Sequence, residues 1–136
     1  MSIESSLRDK LGMYAPDDNR ESHSLMGADT LIGNDVRSPQ GEALGEIREL
    51  MIDVASGQVA YAVLSFGGLM GMGEKLFAVP WSALTLDRSH QRFLLNVSKD
   101  RLKEAPGFDK KHWPAMADAS WSRGVHAFYG TTHRAS

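Results

Sequence analysis

Residues Gln58 to Phe66 are apolar at almost every position, and this run constrains the fold more than any other feature of the sequence. In a strand, the odd positions from Val59 to Val63 would face one side and the even positions from Ala60 to Phe66 the other. An antiparallel strand usually keeps one face in water, so a strand with two apolar faces needs a cover on each side. We expect a C-terminal helix to supply the outer cover.

The preceding strand, Leu44 to Val54, changes the phase of its apolar residues. Ile47 occupies an odd position, whereas Leu50 and Ile52 occupy even positions. A side-chain period of two cannot change phase without an inserted residue. We therefore predict a β-bulge at Arg48-Glu49, which would bend the strand as the closure of a barrel requires.

Turn residues separate several further short strands on either side of this pair. Gly57 suits a tight hairpin loop, and Ser38-Pro39-Gln40-Gly41 suits a turn between Leu31 to Arg37 and the strand that starts at Leu44. Short runs of apolar residues then predict further strands at Lys75 to Val79, Leu84 to Leu86 and Phe93 to Val97. We expect a mainly β fold, a small antiparallel barrel of five or six strands over residues 27–98. Its predicted interior is filled by Ile52, Val63, Phe77, Leu84 and Phe93.

The two ends of the chain differ from this central part. Residues 1–26 are mostly polar, so we expect a mobile tail there. Residues 99–136 predict a helical extension that packs on the barrel. Asp118 can cap a helix from Ala119 to Tyr129, Pro114 suits a first helical turn, and Gly130 suits the helix end.

Many short stretches resemble the stand-alone PRC-barrel proteins. They are Leu31-Ile32-Gly33, Gly41-Glu42, Leu44-Gly45-Glu46-Ile47, Ile52-Asp53, Gly57 to Leu64, Gly67-Gly68, Val79-Pro80-Trp81, Ala105-Pro106 and Trp113-Pro114. The family is named for the cytoplasmic domain of the photosynthetic reaction-centre H subunit, and a related barrel forms half of a ribosome-maturation factor. The resemblance implies a small barrel used for protein contacts, without catalytic residues.

Composition excludes several kinds of chemistry. The chain has no cysteine, so it has no disulfides, thiolate metal ligands or cysteine nucleophiles, and this suits a reducing, cytoplasmic location. Its five histidines are scattered without metal-ligand spacing, and no segment resembles a membrane-spanning helix. Residues 1–98 carry 8 basic and 13 acidic groups, whereas residues 99–136 carry 7 and 4. Nucleic-acid binding would need a denser basic patch, so we do not expect that activity. Because no catalytic or ligand-binding motif is present, we also expect no catalytic, cofactor or metal site.

We therefore expect a non-catalytic interaction or adaptor module with a protein partner that the sequence does not identify, and a homodimer is one expected assembly. The candidate contact residues are Leu69, Met70 and Met72 in a glycine-rich loop, with Trp113 and Trp121 in the extension. A small-ligand carrier or a hydrolase without a recognisable motif is the alternative. The family analogy adds a further alternative, an accessory of a membrane complex or of ribosome assembly.

Overall fold

The structure, a computed structural model, describes residues 25–67 and 74–132 of the chain. The predicted tail over residues 1–26 lies outside the described residues except for its last two positions, and residues 68–73 of the glycine-rich loop lie outside them as well. The described strands are β1 (Asp35–Arg37), β2 (Ala43–Asp53), β3 (Gln58–Gly67), β4 (Glu74–Pro80), β5 (Leu84–Asp87) and β6 (Arg92–Leu95). The described helices are α1 (Ala28–Leu31), α2 (Lys99–Lys103) and α3 (Ala119–Tyr129), with single 3-10 turns at Trp81–Ala83 and Arg88–His90.

The six strands form one curled sheet in the order β4-β3-β2-β1-β6-β5. Neighbouring strands run antiparallel, with one exception: β1 and β6 are parallel, and Val36 stands opposite Phe93. The prediction of a mainly β fold with five or six strands and a C-terminal helix is confirmed. The hairpin turns predict antiparallel pairs only, so the parallel pairing of β1 with β6 is a feature that the sequence does not predict.

The bulge predicted in β2 is confirmed. Ile47 pairs with Leu64, and Glu49 pairs with Val63, so Arg48 is the extra residue between two successive pairs. Because an extra residue bends a strand and increases its twist, this bulge helps to curl the sheet around its inner face.

Ile52 does not fill the interior, so that prediction is wrong. Its side chain is 50 % exposed, and the register of β2 against β3 shifts again just before it. Ile52 pairs with Val59 near the hairpin tip, whereas β4 already ends at Pro80, opposite Tyr61. Among the described strands, no third one therefore flanks this end of the hairpin, and Ile52 lies beyond the part of the sheet that encloses the core.

The main core lies on the inner face of the sheet. We call it the inner layer; its buried members are Leu31, Val36, Leu44, Ile47, Leu50, Ala62, Leu64, Phe77, Val79, Phe93, Leu95, Leu102 and Ala105. Of the other predicted interior residues, Phe77 and Phe93 belong to this cluster and Leu84 is partly buried against it. Val63 is fully buried but is not a member of the inner layer, because it stands opposite Ala78 on the other face of the sheet. Large side chains from five strands and from α2 thus fill the space that the curled sheet encloses.

Local hydrogen bonds correct two smaller predictions. Leu31 lies in the short helix α1 rather than in a strand, because the Asn34 amide donates to the Thr30 and Leu31 carbonyl oxygens and ends that turn. Pro114 lies in an irregular segment rather than in a helical turn. Helix α3 starts later, where the Asp118 carboxylate accepts a hydrogen bond from the Ser120 backbone N–H at 2.8 Å.

Candidate protein-contact surface

Helix α3 lies against the outer face of β3 and β4. The Asp118 cap starts this helix, and Gly130, with φ of 71°, ends it in the left-handed conformation that glycine adopts without strain. Val125 is buried against the sheet, and the Ser122 and Tyr61 hydroxyl groups lie 2.6 Å apart in a buried hydrogen bond. The helix therefore supplies the cover that the two-sided apolar strand β3 requires.

A second, smaller apolar cluster forms under this helix, and we call it the outer layer. Its buried members are Tyr61, Ala78 and Val125, and its partly buried members are Met51, Ala60, Phe108, Met116, Trp121 and Tyr129. Most of its aromatic and methionine side chains are thus covered only in part. Residue types of this kind are enriched at protein interfaces, so the outer layer is the most suitable surface for a partner among the described residues.

The segment before α3 is tied to the edge of the sheet. Phe108 and Leu76 exchange two backbone hydrogen bonds of 2.8 Å, which adds one bridge to the edge strand β4. Gly107 permits this approach, because a Cβ atom there would lie 2.6 Å from the Lys75 side chain and 3.0 Å from the Phe77 ring. The position of Phe108 is therefore fixed by backbone pairing.

Residues 108–113 then form a tight turn, which we call the basic-aromatic turn. The Asp109 carboxylate accepts hydrogen bonds from the Lys111 backbone N–H at 2.9 Å and from His112 Nδ1 at 2.8 Å. The Trp113 indole N–H donates to the Lys110 carbonyl oxygen at 3.0 Å. The Phe108 and Trp113 ring centroids lie 5.1 Å apart, so the turn holds the indole against a ring of the outer layer.

The electrostatics of this turn follow from its hydrogen bonds. Donation by the His112 side chain and by the Lys111 backbone holds the pKa of Asp109 below its usual range. Lys110 and Lys111 are exposed, and within the described residues neither ammonium group lies within ion-pair distance of a carboxylate. The carboxylate therefore accepts hydrogen bonds within the turn while it stays exposed, and the two exposed ammonium groups beside it have no ion-pair partner among the described residues.

The structure places two of the five predicted contact residues at this surface. Trp113 is 41 % exposed at the basic-aromatic turn, and Trp121 packs edge-on against Tyr61 with ring centroids 5.3 Å apart. Leu69, Met70 and Met72 lie outside the described residues. Sequence reasoning missed Phe108 and Met116, because residues 106–118 show neither strand nor helix periodicity. The Asp109-to-His112 spacing is the one local signal of a turn there.

A polar cluster elsewhere closes the last hairpin. The Asp87 carboxylate accepts hydrogen bonds from Ser89, His90 and Arg92 at 2.9, 2.9 and 3.1 Å. Although partial burial opposes the effect, these bonds hold the pKa of Asp87 below its usual range. All four residues belong to one β5–β6 connection, so we interpret the cluster as a structural tie.

Within residues 25–67 and 74–132, no group of three or more histidine and carboxylate side chains lies close enough to hold a metal ion. None of the helices in this part of the chain combines the length and apolar character needed to cross a bilayer.

The curled six-stranded sheet and its apolar cover define a small β module with an exposed aromatic surface. The PRC-barrel domain model matches residues 23–102, more than half of the chain. The chain therefore belongs to the PRC-barrel family. A search of the curated proteins finds no match. The basic-aromatic turn and α3 lie beyond the matched residues, so the family match covers every buried residue of the inner layer except Ala105 but not the extension that completes the outer layer.

Proposed function

We propose that this protein is a non-catalytic interaction module that contacts a protein partner through the outer layer and the basic-aromatic turn. The observation that carries the proposal is Trp113, an exposed indole held in one position by its hydrogen bond to Lys110 and its contact with Phe108. Tryptophan is enriched among the residues that dominate interface energies. A fixed aromatic side chain also loses little conformational entropy when a partner covers it.

The filled inner layer supports an interaction module over a small-ligand carrier. A carrier needs an internal cavity of roughly 300 Å³ or more. Phe77, Leu64 and Leu95 are at most 1 % exposed, and the rings of Trp81 and Phe93 pack 5.5 Å apart at the 3-10 turn between β4 and β5. The space inside the curled sheet is thus taken up by the protein's own side chains.

We also propose that the module acts in the cytoplasm and that it forms homodimers. The absence of cysteine supports a reducing compartment. A partly exposed apolar surface on a small module supports self-association through a two-fold interface. Light scattering at two protein concentrations tests the dimer, because a mass that stays at one 14.9 kDa chain at both concentrations contradicts it.

Cross-linking in the native cell tests the interaction directly. The full-length protein is compared with Trp113→Ala and with Val54→Ala, which alters an exposed apolar side chain in the β2–β3 turn, outside the outer layer. We expect specific cross-linked partners for the wild type and for Val54→Ala, and a marked loss for Trp113→Ala. Equal cross-linking by all three proteins, at equal melting temperatures, contradicts the proposed surface.

A further inference from the structure

The basic-aromatic turn carries two exposed lysines beside one exposed carboxylate. That carboxylate, Asp109, accepts hydrogen bonds from His112 and from the turn's own backbone, whereas Lys110 and Lys111 have no ion-pair partner among the described residues. The neighbouring helix α2 differs, since Arg101 lies 3.4 Å from Glu104 and Lys103 lies 4.0 Å from Asp100. The two turn lysines are therefore better placed than Arg101 and Lys103 to meet an external anion.

The turn is also fixed before any ligand arrives. The Phe108 backbone pairs with Leu76 on β4, Asp109 folds the chain at Lys111, and Trp113 is bonded to the Lys110 carbonyl oxygen. Loops that are already ordered do not lose loop entropy on binding, so weak individual contacts suffice. Two ammonium groups and one apolar indole surface are thus kept within four consecutive residues.

We propose that the basic-aromatic turn binds an acidic segment of a partner protein. Carboxylates of that segment pair with Lys110 and Lys111, and an apolar side chain beside them packs on the exposed part of Trp113. This inference rests on the proposed interaction function and adds the chemistry of the partner to it. Opposite charges at the rim of an interface favour encounter and suppress unsuitable partners.

The observed charge favours a protein segment over a membrane or a nucleic acid. Binding to anionic lipid headgroups typically uses clusters of about four to eight basic residues. Nucleic-acid binding uses a dense basic stripe in a basic domain. This turn has two lysines, and the chain carries a formal net charge of −2. A short acidic segment with an apolar neighbour matches the size and sign of the site.

Selection from a random-peptide display library against the immobilised full-length protein tests the chemistry. We expect the enriched peptides to be rich in Asp and Glu, with at least one apolar or aromatic residue beside them. Their affinity should fall as salt is raised, because rim charges are screened by salt. Failure to enrich any peptide, or enrichment of neutral or basic peptides, overturns the proposal.

Charge-reversal variants locate the site. The double variant Lys110→Glu/Lys111→Glu should weaken an enriched acidic peptide about tenfold or more. The matched control Lys99→Glu/Lys103→Glu makes the same change of net charge on α2. At a salt concentration that screens long-range charge, its affinity for the peptide should stay within about twofold of the wild-type affinity. Equal losses for the two variants overturn the assignment to this turn. Binding of phosphatidylserine vesicles without binding of acidic peptides overturns it in favour of a membrane surface.

The cellular cross-links distinguish failure of the acidic-partner proposal from failure of the proposed interaction function. If Trp113→Ala abolishes the cellular cross-links while Lys110→Glu/Lys111→Glu retains them, the contact surface stands and the acidic partner is wrong. If neither variant changes the cross-links, the contact surface itself is wrong.

Discussion

The two apolar layers of this protein differ in how completely they are enclosed. Among the described residues, the inner layer has thirteen buried members drawn from strands and helices on several sides, whereas the outer layer has three under a single helix and one turn. Burial of apolar area is the main favourable term in folding, so the inner layer provides most of the stability. The outer layer keeps aromatic and methionine side chains partly accessible, which suits contact with another molecule.

The boundary of the family match follows the same division. Residues 23–102 include all six strands and all but one of the buried residues of the inner layer. The extension after residue 102 supplies Phe108, Trp113 and α3. The sheet is thus the part of the chain that the family model matches, whereas the turn and the helix that complete the outer layer lie beyond the matched residues.

Truncation of a core ring gives the largest expected effect and tests which layer carries the stability. Phe77 is fully buried in the inner layer, so Phe77→Ala should lower the free energy of unfolding by about 3–5 kcal/mol. Val125→Ala removes two methyl groups from the outer layer and should cost about 1–2 kcal/mol. Urea unfolding measures both. A larger loss for Val125→Ala would reverse the roles of the layers.

Truncation of the exposed indole should cost less. Trp113 contacts the outer layer through Phe108, and an aromatic pair of this kind contributes about 0.5–1.5 kcal/mol beyond its buried area. We expect Trp113→Ala to lower the free energy of unfolding by about 1–2 kcal/mol, well below the effect of Phe77→Ala. A loss as large as that of Phe77→Ala in the same urea titrations would mean that Trp113 belongs to the core.

Removal of the hydroxyl group from two tyrosines should change the free energy of unfolding by smaller amounts, in opposite directions. The Tyr61 hydroxyl is hydrogen-bonded to Ser122, so Tyr61→Phe should cost about 0.5–1.5 kcal/mol. The buried Tyr129 hydroxyl has no hydrogen-bond partner among the described residues, and burial raises the pKa of this phenol above its ordinary value. Tyr129→Phe should therefore stabilise the protein by up to about 1 kcal/mol. Thermal unfolding compares the pair, and destabilisation by Tyr129→Phe would show that a water or another group satisfies that hydroxyl.

Acid should loosen the basic-aromatic turn with the smallest effect on the whole protein. Hydrogen bonds from His112 and Lys111 hold the pKa of Asp109 below its ordinary value of 3.8. A lowered carboxyl pKa stabilises the folded turn above that ordinary value, and the contribution is lost as the pH falls through the lowered pKa. The indole N–H resonance of Trp113 should shift in that acidic range. Asp109→Asn cannot titrate there, so an equal shift in that variant would contradict the role of the carboxylate.

The sequence predicts the sheet better than it predicts the positions of individual side chains. The phase change around Ile47 correctly indicates the bulge at Arg48, because that rule depends only on local geometry. It fails for Ile52, because the register shifts a second time between Met51 and Ile52, and the apolar alternation of β2 gives no sign of this second shift. The parallel pairing of β1 with β6 likewise has no local signal.

The proposed contact surface is less predictable than the sheet, because its members are brought together by pairings between distant parts of the chain. Trp113 and Trp121 are identifiable as large apolar residues in a polar extension. The role of Phe108 depends on its pairing with Leu76, more than thirty positions earlier in the chain. A bridge of one residue is too short to produce an alternating apolar pattern in the sequence. Residues 69, 70 and 72 remain predicted contact residues that lie outside the described residues.

The parallel pairing of β1 with β6 has a consequence for the order of folding. Strands β2, β3 and β4 pair with strands that are adjacent in sequence. Val36 of β1 can pair with Phe93 only after the chain up to β6 has been synthesised. Contacts of long sequence separation form slowly, because a long loop must close before they contribute. We therefore expect the β2–β3–β4 meander to form early on the ribosome, and the edge of β1 to stay open until the last hairpin emerges.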